Sequence, residues 1–216
     1  MKKIIIFSTA YLPFVGGAEI AVKEITDRLG AGEAGGEYEF DLITARLDNN
    51  LALKERIGRI NVFRTGFGSK IDKFLLPVFG LFKAIELNSK NNYDLIWAVM
   101  ASQAGITACF FKIIFSKKKL VLTLQEGDDE EHLKRYVFGN DALFKNFIQP
   151  LHRLVIKKAD RVIAISKSLR DRAVKSGARG EVLIVPNGVN IEKFERKNRP
   201  PELADALKSS LGTKKD

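Results

Sequence analysis

Short apolar runs that recur along the whole chain constrain its fold more than any other feature of the sequence. Seven of them are typical of β-strands, and several are apolar at nearly every position: residues 2–7, 38–45, 60–65, 93–100, 119–124, 160–166 and 181–186. Strands that are apolar on both faces are typical of a parallel sheet covered by helices on both sides. The runs therefore predict a sheet buried inside the protein.

Amphipathic helical patterns fill the intervals between these strands. Ala18, Val22, Ile25 and Leu29 share one helical face, and a second apolar stripe runs through residues 144–155. Strand and helix in alternation form right-handed βαβ units, which build an open sheet. We therefore predict an α/β fold: a doubly wound, mainly parallel, Rossmann-like sheet with helices on both faces.

The end of the chain has a different character. The last predicted strand ends near Pro186, and a charged connector with a short helical pattern follows it. We expect residues 1–195 to form one Rossmann-like domain. Residues 196–216 are then a connector and a short helix that lead toward a further domain.

The composition excludes several classes of protein. The single cysteine, Cys109, excludes an internal disulfide and a multi-cysteine metal site, and favours a reducing compartment. No stretch reaches the roughly 18 apolar residues of a membrane span. The opening "MKKIIIFSTAYLPF" lacks the long apolar region and cleavage site of a secretory signal. We therefore expect a cytoplasmic protein.

The net charge of +10 is concentrated in one half of the chain. Residues 109–216 hold 23 Lys and Arg against 14 Asp and Glu, whereas residues 1–108 are nearly balanced. Such a basic half attracts phosphates, nucleic acid or an acidic membrane face, unless the charge serves only solubility. A non-catalytic anion-binding or RNA-binding α/β module is thus one candidate function. No RNP-like or GXXG motif is present, however, and we expect no nucleic-acid partner.

The stretch "FSTAYLPFVGGAEIAVKEI", residues 7–25, leaves the first strand and enters a helix on two adjacent glycines. It lacks the third glycine of the dinucleotide fingerprint and the Lys-Ser/Thr pair of a P-loop. Ligands of open α/β sheets bind beyond the carboxyl ends of the strands. Gly16 and Gly17 would let an anionic oxygen approach the amides of a helix N-terminus there. A tight turn without a ligand is the alternative.

Two stretches resemble one enzyme family. "YLPFVGGAE" resembles the glycine-rich entry loop of the group 1, family 4 glycosyltransferases, which have the two-domain GT-B architecture. Residues 159–194, "ADRVIAISKSLRDRAVKSGARGEVLIVPNGVNIEKF", are similar to that family's strand-Ser-helix-strand-PNGVD-x-x-x-F segment. The resemblance implies the N-terminal, acceptor-side domain of an enzyme that transfers a sugar from a nucleotide-sugar donor. The acceptor is then a glycan or a lipid-linked molecule, and the pathway is polysaccharide biosynthesis for the cell envelope.

The resemblance also implies binding residues for the donor. Gly16 and Gly17 would place backbone amides near the donor diphosphate or the reacting sugar. Ser166 would lie at the edge of the cleft, and Asn187 and Gly188 at the turn toward the hinge between the domains. Asn190 stands where the family usually has Asp, and a turn tolerates either residue.

The loop after the fifth of these strands departs from the family pattern. Many relatives carry His at this point, whereas this chain has Gln125 followed by Glu126. Gln125 cannot accept a proton, so we interpret it as a hydrogen-bonding contact. Glu126, Asp128 or Asp129 is the candidate general base for the acceptor hydroxyl. An acidic, solvated loop without a catalytic role is the alternative.

The two histidines of the sequence do not indicate a metal-binding site. His152 lies on an amphipathic pattern and is expected to be structural, whereas His132 follows the acidic cluster and is a further candidate for the cleft. We expect no metal ion and no cofactor, because the nucleoside diphosphate sugar is a substrate.

The donor side of the family's site is missing from this sequence. In the family, the C-terminal domain carries the basic residues that neutralise the diphosphate and a Glu-x7-Glu motif, and residues 191–216 supply neither. Several charge-assisted contacts are needed for that purpose. We therefore expect the nucleotide sugar to be shared with a C-terminal domain and the 216-residue chain to be inactive alone. A nucleotide-sugar epimerase of the same architecture is an alternative that the PNGVN spacing disfavours.

Two segments suggest a membrane-associated acceptor. Residues 74–87 are apolar almost all round, and residues 109–120 join apolar side chains to three consecutive lysines. A basic and apolar surface suits peripheral association with the inner face of the cell membrane. The alternative is that both segments belong to crossover helices and that the lysines mark a turn.

Overall fold

The computed structural model describes residues 1–29, 37–125 and 148–188, together with residues 142 and 146. The chain divides into two compact units, Met1–Pro186 and Asn187–Asp216. Of the second unit only Asn187 and Gly188 are described. The domain boundary predicted at residue 195 lies outside the described residues and stays a prediction.

Strands and helices alternate along the described part of the first unit. In chain order they are β1 (Lys2–Phe7), α1 (Gly17–Leu29), β2 (Tyr38–Ala45), β3 (Lys54–Ile57), β4 (Ile60–Thr65), α2 (Asp72–Asn91), β5 (Leu95–Val99), α3 (Gln103–Ile114), β6 (Lys119–Leu124), α4 (Gln149–Lys158), β7 (Arg161–Ala164), α5 (Lys167–Lys175) and β8 (Val182–Ile184). Within these ranges, no helix has the length and hydropathy needed to cross a bilayer.

The strands form a single sheet in the order β3-β4-β2-β1-β5-β6-β7-β8. Every neighbouring pair is parallel except β3 and β4, which form an antiparallel hairpin. The predicted α/β fold is confirmed, and each of the seven predicted strands is present within two residues of its expected bounds. β3 was not predicted, because its "KERI" sequence is short and charged, as suits an edge strand.

Helices cover both faces of the sheet, as predicted. Alternate residues of β1 point to opposite sides, so that Ile5 and Phe7 join one core cluster and Ile4 and Ile6 join the other. The first cluster includes buried side chains of α2, α3, α4 and α5, and the second includes those of α1. The sheet is therefore buried between two helical layers.

The direction of winding reverses between β1 and β5. From β1 the chain builds outward through β2 to β4, and it then crosses over to build β5, β6, β7 and β8 on the other side of β1. In doubly wound sheets the loops that leave the two strands at this reversal separate and leave a crevice between them. The loops after β1 and β5 thus border the expected binding crevice.

Candidate functional site

The loop after β1 carries the glycine pair, and neighbouring strands hold its first half in place. The Thr44 Oγ1 hydroxyl donates to the Thr9 carbonyl at 3.1 Å. The buried guanidinium of Arg64 donates from Nη2 to the Leu12 carbonyl at 2.6 Å. These contacts fix the path along which the loop approaches α1.

Tyr11 anchors the middle of the same loop in the core. Its side chain is 1% exposed and packs in the core cluster beneath α1. The hydroxyl has no hydrogen-bond partner in the described part of the chain. Burial first, and then the carboxylates of Asp27 and Glu19, raise the pKa of Tyr11 above its usual range. Tyr11 is therefore a neutral structural anchor, and beyond it the residues from Pro13 to Val15 emerge into solvent.

The glycine pair forms the N-terminus of α1. The Gly16 carbonyl accepts the first helical hydrogen bond, from the Ile20 N–H at 3.2 Å, so Gly17 is the first helical residue. The N–H groups of Gly17 and Ala18 make no hydrogen bond to any described residue. A Cβ atom placed on Gly17 would meet nothing within 4 Å. These two amides thus have no partner among the described residues, and the position of the missing Gly17 side chain is open.

Glu19 places a negative charge beside this N-terminus. A Cβ atom placed on Gly16 would lie 2.5 Å from the Glu19 Oε2. A carboxylate in the first turn is favoured by the helix dipole. An anionic ligand would therefore have to displace this flexible side chain before it reached the amides.

Two hydroxyl groups join the loops after β1 and β5, where the winding of the sheet reverses. The Oγ1 of Thr9, after β1, lies 2.9 Å from the Oγ of Ser102, after β5. Thr9 Oγ1 also accepts a 3.3 Å hydrogen bond from the Ala104 N–H in the first turn of α3. Ser102 itself makes no capping bond as the N-cap of α3, so Thr9 caps that helix from the neighbouring loop. This pair was not predicted from the sequence, although both hydroxyl residues closely follow strands.

The loop after β5 also contains strained backbone. Met100 has a φ of 67°, which is unfavourable for a residue with a side chain. Its N–H donates to the Thr123 carbonyl of β6 at 2.8 Å. Gly105 packs directly against it, since a Cβ atom at that position would lie 2.7 Å from the Met100 carbonyl oxygen. Tight packing therefore holds the backbone of the loop after β5 in an uncommon conformation.

Gln125 follows β6 at the same edge of the sheet. Leu122 and Leu124 face the core under α2 and α3, so strand alternation places Gln125 on the face of α1. It is half-buried, and it interacts with neighbouring groups. One strand separates β6 from β1, so their ends lie about 10 Å apart. The other candidates of this loop, Glu126, Asp128, Asp129 and His132, lie outside the described residues, and all these roles stay predictions.

The remaining predicted donor contacts come later in the chain. The Ser166 Oγ accepts a 3.3 Å hydrogen bond from the Leu169 N–H and is the N-cap of α5. This bond gives Ser166 a structural role beside the predicted one at the cleft. Asn187 and Gly188 are exposed and begin the second unit. Their predicted roles, like that of Ser166, stay predictions.

The described residues show no metal-binding cluster and no reactive thiol. No group of three or more His, Cys, Asp or Glu side chains in these ranges is arranged to hold a metal ion. Cys109 is buried, and burial raises the pKa of its thiol to about 11. Cys109 therefore stays protonated at neutral pH and packs as a small apolar side chain.

His152, on α4, makes the stability of the fold depend on pH. Burial, and then the nearby charge of Arg172, lower its pKa to about 4. The unfolded chain takes up a proton near pH 6.5, whereas the folded chain does so only near pH 4. We expect about 2–3 kcal/mol of unfolding free energy to be lost as the pH falls through this window.

Urea unfolding between pH 7 and pH 4 measures this loss, with His152→Gln as the comparison. The glutamine variant should lose less stability than the parent chain over the same pH range. Equal losses in the two chains would show that other groups are responsible.

Comparison with known proteins identifies the family. The model of Glycosyltransferase Family 4 matches residues 15–193. An uncharacterized glycosyltransferase of Methanocaldococcus jannaschii is 26% identical to this chain over an alignment 220 positions long. The alignment covers 97% of this chain and 53% of that protein. The chain thus spans about half the length of this curated relative.

Solved structures share the fold. Sucrose-phosphate synthase from Thermosynechococcus elongatus superposes with a TM-score of 0.66 at 18% identity, over 99% of this chain and 53% of that one. Trehalose-6-phosphate synthase OtsA superposes with a TM-score of 0.62 at 12% identity, over 98% of this chain and 55% of that one. At these identities the likeness supports the fold alone, which is the Rossmann-like α/β sheet found in GT-B glycosyltransferases. The family match itself runs from the glycine loop past β8, and the chain therefore belongs to Glycosyltransferase Family 4.

Proposed function

We propose that this chain is the acceptor-side half of a glycosyltransferase that moves a sugar from a nucleoside diphosphate sugar to a glycan or a lipid-linked acceptor. Family membership supports the type of reaction. The observation that carries the proposal is the open N-terminus of α1, which follows β1 where the sheet reverses its winding. An anionic leaving group fits that position.

The glycine pair stabilises charge on the donor in this proposal. Transfer breaks the bond between the anomeric carbon and the diphosphate, which leaves with additional negative charge. The N–H groups of Gly17 and Ala18 donate to that charge, and the absent side chain of Gly17 lets the phosphate come close. The Glu19 carboxylate swings away to admit it.

The loop after β6 activates the acceptor in this proposal. The acceptor hydroxyl attacks the anomeric carbon, and Glu126 or Asp128 takes its proton. Gln125 donates a hydrogen bond to the transferred sugar. The remaining diphosphate charge requires several cationic contacts, which we assign to a donor-binding domain. Ser166, Asn187 and Gly188 add uncharged polar contacts to the donor in this proposal. The proposal invokes no metal ion.

The cellular setting is part of the same proposal. We place the reaction in the cytoplasm, peripheral to the inner face of the cell membrane, in the synthesis of a cell-envelope polysaccharide. The apolar outer face of α2 supports membrane association.

A transfer assay tests the proposal. The gene product at its full length is incubated with a panel of labelled nucleotide sugars, with and without a cell-envelope extract as acceptor. We expect the label to move to an acceptor and free nucleoside diphosphate to appear. Conversion of one nucleotide sugar into another without an acceptor would instead show an epimerase. Binding of RNA without turnover would show a non-catalytic module.

The 216-residue chain is assayed beside it. We expect no turnover from this chain alone, because a single glycine loop cannot neutralise a diphosphate. Measurable transfer by the short chain would contradict the need for a donor-binding domain.

A further inference from the structure

An open cavity of about 620 Å³ lies on the face of the sheet that α2 covers. Glu39, Asp41 and Asn61, near the amino ends of β2 and β4, form part of its floor, and the C-terminal half of α2 forms one wall. The glycine loop instead follows the carboxyl end of β1. Because β1, β2 and β4 are parallel, the cavity and the glycine loop lie toward opposite edges of the sheet. The cavity is thus a separate feature, and its volume is in the range of small-ligand sites.

A fixed network of polar side chains lies at the floor of this cavity. The buried Asp41 carboxylate accepts hydrogen bonds from the Nδ2 groups of Asn61 and Asn91 at 2.8 and 2.9 Å. It also accepts one from the Tyr93 hydroxyl. These bonds orient the two asparagine side chains, which both line the cavity. No described group donates to the Oδ1 atom of either one. The two amide oxygens are therefore fixed acceptors for the hydroxyl groups of a ligand.

The charged side chains around the cavity are mainly basic. Five basic residues line it against three acidic ones: Lys3, Lys54, Arg64, Lys83 and Lys90 against Glu39, Asp41 and Glu86. Lys83 and Lys90 share the single carboxylate of Glu86, at 2.8 and 3.0 Å. Lys54 makes no ion pair with any described residue. The positive charge contributed by α2 and β3 is therefore balanced only in part.

The aromatic ring of Phe63 brings two of these cations to one place. The Nζ atom of Lys54 lies 5.4 Å from the centroid of the ring, and that of Lys83 lies 5.9 Å from it. A ligand beside the ring is therefore within reach of both ammonium groups. Leu53 also lines the cavity and is 56% exposed, so an apolar side chain is available to pack against the ligand.

We propose that this cavity binds an acidic sugar, which is a saccharide unit that carries a carboxylate or a phosphate. The anionic group contacts Lys54 and Lys83, and hydroxyl groups of the sugar donate to the amide oxygens of Asn61 and Asn91. An inorganic anion would leave the amide oxygens without donors, and a neutral sugar would leave the cations without a partner. The inference rests on the proposed function only in assigning the acidic unit to the glycan that the enzyme extends.

Backbone amide NMR of the labelled 216-residue chain tests the proposal. The chain is titrated separately with glucose 6-phosphate, a trimer of galacturonic acid, glucose and inorganic phosphate. We expect the two acidic saccharides to move the signals of Lys54, Asn61 and Asn91, and to bind more weakly at high salt. Glucose and inorganic phosphate should bind roughly tenfold more weakly or less, since each makes only one of the two kinds of contact.

The double variant K54M/K83M removes both cations and keeps their apolar stems. We expect it to bind glucose 6-phosphate roughly tenfold more weakly or less, with an otherwise parental amide spectrum. Lys175→Met is the matched control, because it removes an exposed lysine of α5 outside the cavity, and it should bind like the parent chain. Parental binding by the double variant, or unmoved cavity signals in the parent chain, would overturn the proposal. Binding of glucose or inorganic phosphate as tight as that of the acidic saccharides would overturn it as well.

The same titrations distinguish the two sources of an acidic sugar. Tighter binding of the trimer assigns the cavity to a glycan chain, and tighter binding of glucose 6-phosphate assigns it to a free sugar phosphate. Both results support an acidic-sugar site. The titrations need no donor and no turnover, so their failure would leave the proposed function standing. Binding in the cavity with no transfer by the full-length protein would count against the proposed function alone.

Discussion

Gly17→Val should lower sugar transfer by about 100-fold or more and leave the fold intact. A Cβ atom at position 17 meets nothing within 4 Å, so the variant has room for its side chain. Valine in the first turn of a helix costs only a few tenths of a kcal/mol relative to better helix formers. The valine methyl groups would, however, occupy the space through which the diphosphate reaches the amides of Gly17 and Ala18.

Steady-state transfer by the full-length protein, together with urea unfolding, measures both parts of this prediction. Ala52→Val, at an exposed position before β3, is the control for adding valine methyl groups elsewhere. It should retain parental transfer. Parental activity of Gly17→Val would show that the glycine pair only makes a tight turn.

Arg64→Met should lower the free energy of unfolding by about 3 kcal/mol and reduce transfer as well. The buried Arg64 guanidinium donates to the Leu12 carbonyl at 2.6 Å and to the Ala52 carbonyl at 3.0 Å, and it pairs with Glu55. Methionine has a similar length but leaves both carbonyls without these donors. The contact with Leu12 is lost from the loop that leads to Gly16, so we expect the site to loosen.

Urea unfolding of a short series separates the contributions of Arg64. Glu55→Gln removes only the ion pair and should cost about 1 kcal/mol or less, because Glu55 is partly exposed. Arg64→Lys keeps the charge without the planar fork of donors and should lie between the two. If Arg64→Met unfolds at the same urea concentration as the parent chain, Arg64 does not anchor the loop.

The sheet could be predicted from the sequence because its signals are local. Strands such as β1 and β6 are covered on both faces and are therefore apolar at most positions. β3 was not predicted because it is an edge strand. It pairs with one neighbour only, so its sequence need not be apolar. Its "KERI" sequence is joined to β4 through Gly58, whose φ of 58° suits a tight hairpin turn.

The site could be predicted only in part, for a similar reason. The glycine pair is a feature of adjacent residues and is visible in the sequence. The hydrogen bond between Thr9 and Ser102 joins residues 93 positions apart, and only the strand order brings them together. Likewise, the sequence of α2 is apolar on almost all sides of the helix. Only the packing of the helix shows that the side chains of Val78 and Phe82 are exposed to solvent.

A titration of the isotopically labelled chain with UDP, followed by backbone amide NMR, tests the central claim most directly. If the open N-terminus of α1 receives the diphosphate of the donor, the amide signals of Gly17 and Ala18 move first and furthest. The Gly17→Val chain should show much smaller shifts at the same UDP concentration. Saturating UDP that leaves these two amides unmoved, while signals elsewhere shift, would contradict the account.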